Sequence, residues 1–528
     1  MASNNAQRDL PLVDQDKSQL AGPSKMTETE TDNSKVPPPP GSSMPAGTRL
    51  RDAGVYPLYV LLLLLVTYLL NQLDRYALAI CAKPMAQEIH FGDKGCMALT
   101  DTSSKVCKGK NETICDQTKA KDHKTNVCYY DYTGLGWEYQ VLAGPIFIVV
   151  YTFSGIVLGY AADISNRKNL LATCLAIWST VTVLTGFAQQ YWHLILLRFA
   201  LGIGQAGCTP FASSLIADYF GQEVRGTALG VYNLGIYMGY SMSYAFGDFI
   251  TQADILGKGW RWTFWLAGLP GLILSAIIFI TMREPPRQGI FTGKNERVSS
   301  YQDVSAGQKL LAVCKCFLQP SLLMLCLAGS IRNGAGYVWG YNTQNFFNEY
   351  HPDVSTGRWL SWIPLVGGSI GVIFGGFISD RIVKRSGPVA RIWVLISSLV
   401  VAAPFAALTL VLPIPYAFLA QIPTYVFGEM WVGVTLAVVI ELVPTHLRAS
   451  SVGFYFFIIS NIGGNMPVLV SLFKDLKVAL FVLYPGCYIL GALLFFPTML
   501  LVRRDIRKVQ EADEHRALLN EPNSDKES

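Results

Sequence analysis

Charged and amide side chains inside apolar stretches are where this chain could do chemistry. Asp74 and Arg75 fall in an apolar run that begins near Tyr56. If the helix carrying them runs on past Cys81 to about Ile89, both lie near the middle of a membrane. An ionisable group held there is a functional candidate by default. Adjacent helix positions point about 100° apart, so the two need different partners. Arg198 and Gln205 stand seven apart, two turns up one face of another run. Around 332–345 the chain is polar and aromatic, with Arg332, Asn333, Tyr337, Trp339, Tyr341, Asn342 and Asn345. Asn333, Tyr337, Tyr341 and Asn345 recur every four residues and form one slowly drifting stripe. Buried polar groups need partners or a wet cavity. The stripe therefore reads as cavity lining, with helix–helix hydrogen bonding as the alternative. The planar fork of Arg332 suits an anionic head group such as phosphate, and Glu429 competes for it. Asn461 and Asn465 make a similar pair at i, i+4. This chemistry suits binding a solute and makes no covalent bond. With no nucleophile–base constellation, P-loop or zinc spacing in view, the expectation is not an enzyme, with no cofactor, metal or nucleic-acid partner.

The elements that must position these residues are long apolar runs. About 20 apolar residues in a helix span a membrane core. Runs of about that length lie at 56–81, 138–161, 170–188, 191–217, 226–250, 261–282, 320–346, 359–379, 391–412, 415–440, 450–472 and 477–502. The composition agrees: 51% hydrophobic and 15% charged, against roughly 25% charged in a soluble domain. The expected fold is an all-α membrane protein with twelve transmembrane helices in two pseudo-symmetric six-helix bundles. That architecture points to a transporter.

The net charge of +5 says less than its placement. Arg167 with Lys168, Arg225, Arg283, Arg287, Arg381, Lys384, Arg385, Arg448 and Arg503 onward crowd alternate loops. The positive-inside rule puts those loops and both termini in the cytoplasm. The loop 92–137 then lies on the other side; long loops cross with little regard to charge. It holds Cys96, Cys107, Cys115 and Cys128, which outside the cytoplasm read as two disulfides with three possible connectivities. It also holds Asn111-Glu-Thr113, an N-glycosylation acceptor.

The expected organisation is a disordered cytoplasmic tail over 1–55 and a six-helix bundle over 56–283. A central cytoplasmic loop follows over 284–318, a second bundle over 319–502 and a cytoplasmic tail over 503–528. No spanning run lies in the first 50 residues, so no cleaved signal peptide is expected. In the last tail Glu514, Leu518 and Leu519 fit an acidic-dileucine pattern read by sorting adaptors, or an amphipathic helix on the membrane surface. Gly159-Tyr-Ala-Ala-Asp163 before Arg167-Lys168 is echoed by Gly376-Phe-Ile-Ser-Asp380 before Lys384-Arg385. Arg225 with Gly230 is echoed by Arg448 with Gly453. Internal repeats of this kind suit a transporter with a central site. Gly202-Ile-Gly204-Gln-Ala-Gly207 matches a dinucleotide fingerprint, but inside a span small residues serve close helix packing instead.

The stretch Asp163-Ile-Ser-Asn-Arg167-Lys168, repeated in weakened form at Asp380, resembles the signature loop of the major facilitator superfamily. Within that superfamily Asn71-Gln-Leu-Asp74-Arg75, Arg198-Phe-Ala-Leu-Gly202-Ile-Gly204-Gln205-Ala and Val443-Pro444-Thr445-His-Leu-Arg448 resemble the spinster family. The long cysteine loop departs from that family. The resemblance implies alternating access: two bundles rock about a central cavity that takes an amphiphile, lysophospholipid- or sphingolipid-like. It makes Asp74 the proton-sensing carboxylate, with Arg75, Arg198 and Gln205 beside it. Relatives typically carry Glu where this chain has Gln205, which cannot titrate, so either Asp74 couples to protons alone or the protein is a uniporter. Asp163, Arg167, Lys168, Arg225, Asp380 and Arg448 are then candidates for a cytoplasmic lock between bundles, or are topology signals alone. Gly226, Gly235 and Gly239 match the superfamily's antiporter motif in part and point to close packing. The expected partners are a small amphiphilic or anionic substrate, protons, the lipid bilayer and sorting adaptors. The expected location is a lysosomal, endosomal or plasma membrane. The alternatives are transport of a water-soluble organic anion or sugar-type solute, and a non-transporting membrane receptor that uses its glycosylated loop.

Overall fold

In a computed structural model of the chain the described residues are 54–98, 112, 115, 128–220, 222–285, 306–351, 354–387, 389–443 and 448–520. Counting pieces joined across a short break as one, the long helices of the first half are α1 (Val55–Ile80), α2 (Trp137–Ala162), α3 (Arg167–Thr185), α4 (Tyr191–Tyr219), α5 (Gln222–Ala253) and α6 (Trp260–Thr281). Those of the second half are α7 (Pro320–Tyr350), α8 (Thr356–Ser386), α9 (Ala390–Val411), α10 (Tyr416–Leu442), α11 (Ser451–Leu472) and α12 (Leu476–Asp505). Among the described residues ten helices are long and apolar enough to cross a membrane. α7 reaches that standard together with the short helix Leu311–Phe317, bent 83° away from it. The expected run 226–250 lies inside α5, whose 32 residues include Asn233 and Asp248 and a row of tyrosines. Asp248 and the tyrosines are buried while Asn233 is exposed, and these polar side chains lower the hydropathy of the helix.

Each half has its own apolar core. One gathers Leu64, Trp178, Phe211, Leu215 and Tyr232 from α1 to α6. The other gathers Leu325, Trp339, Leu399, Val438, Tyr455 and Phe495 from α7 to α12. Large apolar side chains such as Ile273, Phe279, Phe377 and Leu493 point outward, as a lipid solvent allows. Small residues set the helix spacing. On α8, Gly367, Gly371 and Gly375 recur every four residues, and an added Cβ at Gly371 would collide with Val426 O on α10. Gly202 and Gly204 do likewise on α4: a Cβ there would sit 3.0 Å from Phe147 O and 2.9 Å from Trp178 Cβ. The apparent dinucleotide fingerprint is thus a helix-packing surface. Gly235 and Gly239 bring α5 against Leu65 and Leu69 of α1, whereas Gly226 meets no described atom.

α1 stops at Ile80, and the helix Ala82–Ile89 continues it. The amide of Cys81 still donates to Ala77 O (3.1 Å) and its carbonyl accepts from Met85 N (3.0 Å), so the helix does run on and Asp74 lies well inside it. Beyond it β1 (Lys94–Ala98) pairs antiparallel with β2 (Cys128–Tyr132), Lys94 opposite Tyr132. Cys96 is bonded to Cys115, and Cys128 is disulfide-bonded too. Cys107 and Asn111 lie outside the described residues.

Candidate functional site

Asp74 and Arg75 are 2% and 5% exposed and, as adjacent helix positions must, they face different surroundings. Asp74 points toward Thr182 of α3 and Arg198 of α4. Neither of its oxygens has a hydrogen-bond partner among the described residues. Arg198 donates to Arg75 O at 3.3 Å, leaving its Nη1 without a partner there. Gln205 donates to Asn71 O at 3.1 Å, while its own carbonyl oxygen has none. The four expected residues are therefore brought together along α1 and α4.

The guanidinium of Arg75 lies 4.9 Å from the Phe147 ring centre and 4.6 Å from that of Tyr151. Tyr337 and Tyr341 of the second half stand near it, with their rings stacked at 6.1 Å. Its Nε and Nη2 are buried without a partner among the described residues. Over it, Tyr76 packs edge-on to Tyr240 at 4.5 Å and tilted to Tyr341 at 5.5 Å. Gly340 makes this possible, since a Cβ there would lie 3.2 Å from the Tyr76 ring.

Arg332 is differently placed. It donates to Glu429 Oε1 at 2.9 Å and to Gly428 O. The rings of Trp431 and Tyr488 lie 4.7 and 5.6 Å from its guanidinium. Its charge is thus balanced within the second half. Glu429 keeps 19% of its side chain exposed, and Tyr237 of α5 donates to its other oxygen at 3.3 Å. The α7 stripe does not line one cavity throughout. Asn333 donates to Ile459 O at 3.2 Å inside its own half. Tyr337 faces Arg75. Tyr341 O accepts from Tyr139, and Asn345 donates to Gly134 O at 3.3 Å. The upper stripe therefore seals the halves, helped by Gln140 Nε2 donating to Asn342 Oδ1 at 2.7 Å. Asn461 accepts from Thr152 at 3.0 Å in the same seal, whereas Asn465 donates to Asn461 O within its own helix.

At the opposite end, where the basic loops lie, the halves are parted. Arg167 pairs with Asp218 and with Glu284 (2.7 Å) in the first half. Lys168 Nζ donates to Phe279 O at 3.1 Å and Arg225 to Ala217 O at 2.6 Å. Asp380 pairs with Arg391 at 2.9 Å, and Arg391 with Glu441 at 2.9 Å, in the second half. Among the described residues these bonds all lie within one half, and the side chains of two further members of the expected lock, Asp163 and Arg448, are not among them. Arg167 and Asp380 are met by opposite charges of their own halves, and Lys168 and Arg225 by backbone carbonyls of theirs. The motif glycines agree, because a Cβ at Gly159, Gly226, Gly230, Gly376 or Gly453 meets no described atom within 4 Å. The side chains of Asp163, Arg448, Glu514, Leu518 and Leu519 lie outside the described residues.

Several residues at the centre escaped sequence reasoning: Tyr76, Tyr139, Tyr151, Tyr237, Tyr240 and Tyr425. The chain has 25 tyrosines, and nothing in their spacing separates those that meet at the centre from those facing elsewhere. The i, i+4 pair Tyr240 and Tyr244 was the one local signal.

Two packed helical halves, parted at one end around buried charge, define a membrane transporter. The family model described as Major Facilitator Superfamily matches residues 64–466, and the chain belongs to that superfamily. It resembles the spinster group within it: it is 28% identical to human protein spinster homolog 1 over 63% of this chain and 65% of that protein. It is also 26% identical to an MFS-type efflux pump of Mycolicibacterium smegmatis, over 70% of this chain and 86% of the pump. Among solved structures it is similar to an inward-facing, unoccupied bacterial homolog of the human lysosomal transporter Spinster. That match has TM-score 0.63 and 22% identity, covering 87% of this chain and 99% of the other. The inward-open xylose transporter XylE from E. coli shares the fold at TM-score 0.56 and 13% identity, covering 87% and 100%.

Proposed function

We propose that this protein moves an anionic amphiphile, lysophospholipid- or sphingolipid-like, by alternating access, with the head group held at Arg75. The charge balance of the centre carries this reading. Arg332 is matched by Glu429, and Arg198 faces Asp74. Arg75 has two donors without a partner among the described residues, set against aromatic rings. A buried cation without a counter-ion is costly, and a substrate phosphate would supply it with two charge-assisted bonds. Arg332, which the sequence favoured for this role, is already occupied. The surrounding tyrosines and Phe147 offer apolar surface beside the charge, as an amphiphile requires. The likeness to spinster proteins supports the same substrate class.

In this reading the basic end faces the cytoplasm, so the conformation is open inward, and both termini are cytoplasmic. The cysteine loop, with a glycan on Asn111, lies on the far side. The charges at the basic end form the cytoplasmic lock when the halves meet there. Asp74 is the proton-sensing group, and Gln205 leaves it to act alone. The tail dileucine sends the protein to endolysosomal membranes. The test is uptake of a labelled lysophospholipid by the purified protein in liposomes, with and without a pH gradient. Saturable, gradient-sensitive uptake supports the whole reading. Uptake indifferent to the gradient removes proton coupling, and no uptake in sealed vesicles refutes the substrate class.

A further inference from the structure

The two halves are joined at the cysteine-loop end by one buried carboxylate that no transport step above uses. Asp248, on α5 of the first half, is 7% exposed. Its Oδ2 accepts from Ser355 Oγ at 2.6 Å and from the amide of Gly357 at 2.8 Å, both at the start of α8 in the second half. Its Oδ1 accepts from Gln252 at 2.6 Å. The approach needs a glycine: a Cβ at position 357 would lie 2.8 Å from Asp248 Oδ2, 2.9 Å from its Cβ and 3.1 Å from Tyr244 O. Thr356 holds the socket in place by donating to Gln344 Oε1 of α7 at 2.6 Å. Ser355 stands at the N-cap position of α8, yet its side chain makes no cap bond to its own helix.

We infer that Asp248 is the latch of the outer gate, a positioning residue that caps α8 from the opposite half while that gate is shut. When the halves part there, Asp248 is hydrated and Gly357 N loses its acceptor. Ser355, freed from Asp248, turns its hydroxyl onto its own first turn, as serine at that position ordinarily does. The cap thus passes from Asp248 to Ser355. This exchange keeps the amide satisfied in both states and keeps the opening step shallow. The neighbouring contacts across the halves, Leu365 N to Ser241 Oγ at 3.0 Å and Tyr425 to Tyr240 at 3.4 Å, join uncharged groups. Deeper in, Tyr237 donates to the Glu429 carboxylate across the halves at 3.3 Å, so Asp248 supplies the charge-assisted bonds at the loop end of the closure.

This inference rests on the alternating-access reading, and its test needs no substrate. Spin labels at Leu256→Cys and Lys474→Cys, on loops of opposite halves at this end, report the separation in the full chain in lipid nanodiscs. Cys314 and Cys316 are replaced by alanine in the same background. Wild type should show a dominant short distance and a minor long one. Asp248→Ala should raise the ratio of long to short about tenfold or more, the scale of one lost charge-assisted bond. Gly357→Ala, which keeps the carboxylate but fills its socket, should do the same, and carries the test should Asp248→Ala fold poorly. Ser355→Ala should shift the ratio far less than Asp248→Ala, because it removes a latch bond from the shut state and a cap from the open one. A ratio unchanged in Asp248→Ala and Gly357→Ala overturns the latch, and equal shifts in Ser355→Ala and Asp248→Ala overturn the cap exchange. A single distance in wild type and every variant faults the alternating-access reading itself.

Discussion

Replacing Arg75 by glutamine should weaken binding of an anionic amphiphile and spare a neutral one of the same chain length. Nε and Nη2 of Arg75 have no partner among the described residues, so a phosphate accepting from both would make two charge-assisted bonds. Each such bond contributes about 1.5–3 kcal/mol net. A glutamine could restore one neutral bond of about 1 kcal/mol. The expected loss is thus about 2 kcal/mol or more, roughly 30-fold or more in Kd. Arg75→Lys keeps the charge and loses the fork, and should fall between. Arg332→Gln is the matched control, since its partner is Glu429 at 2.9 Å; it should change binding far less. Equilibrium binding of a lysophosphatidic acid and of a monoacylglycerol, each fluorescently labelled, measures the contrast. The reasoning fails if Arg75→Gln weakens both ligands equally, or if Arg332→Gln costs the anionic ligand more than Arg75→Gln does.

Asp74→Asn should abolish the response of uptake to a pH gradient while leaving exchange intact, because exchange needs no net proton movement; an unchanged gradient response in liposomes would discard Asp74 as the coupling group. Arg332→Met should lower thermal stability by about 2 kcal/mol, under the usual 3–5 for breaking a buried pair, since Glu429 keeps some exposure and its Tyr237 bond. Adding Glu429→Leu should recover most of that loss, as read from melting in detergent; additive losses would deny the pairing. Gly371→Leu should leave little monodisperse protein on gel filtration, because its side chain would occupy the place of Val426 O; normal yield would contradict the α8–α10 packing.

The membrane class and most helix positions were legible because they depend on local quantities. A run of apolar residues declares a span whatever its neighbours are, and the long helices lie close to the runs read from residues 56 to 502. α5 gives a weaker signal, since its tyrosines, Asn233 and Asp248 dilute its apolar content. The pair Asp74 and Arg75 was equally visible, because a charge inside a span stands out against its surroundings. Helical spacing put Arg198 and Gln205 on one face of another span, and the resemblance to the spinster family set them beside Asp74. Likewise, Glu429 was named as the rival partner of Arg332, and the fold makes it the partner.

Partnership across the halves was not legible in the same way. Nothing local ties Asp248 to Ser355 and Gly357, more than a hundred residues away, or sets Tyr76 and Tyr240 over Gly340. The α7 stripe has one spacing along its length, yet its lower end bonds within its half and its upper end seals against the other. The charges at the basic end show the same limit: their types and repeat could be read, but whether they pair across the halves depends on the distance between bundles. Composition and spacing by themselves determined a paired-bundle membrane protein with ionisable groups at its middle, because hydropathy and helical period act within a run. The tertiary structure decided which arginine lacks a partner among the described residues and which side chains meet across the halves, because those depend on distances between side chains that the chain brings together only when both halves pack.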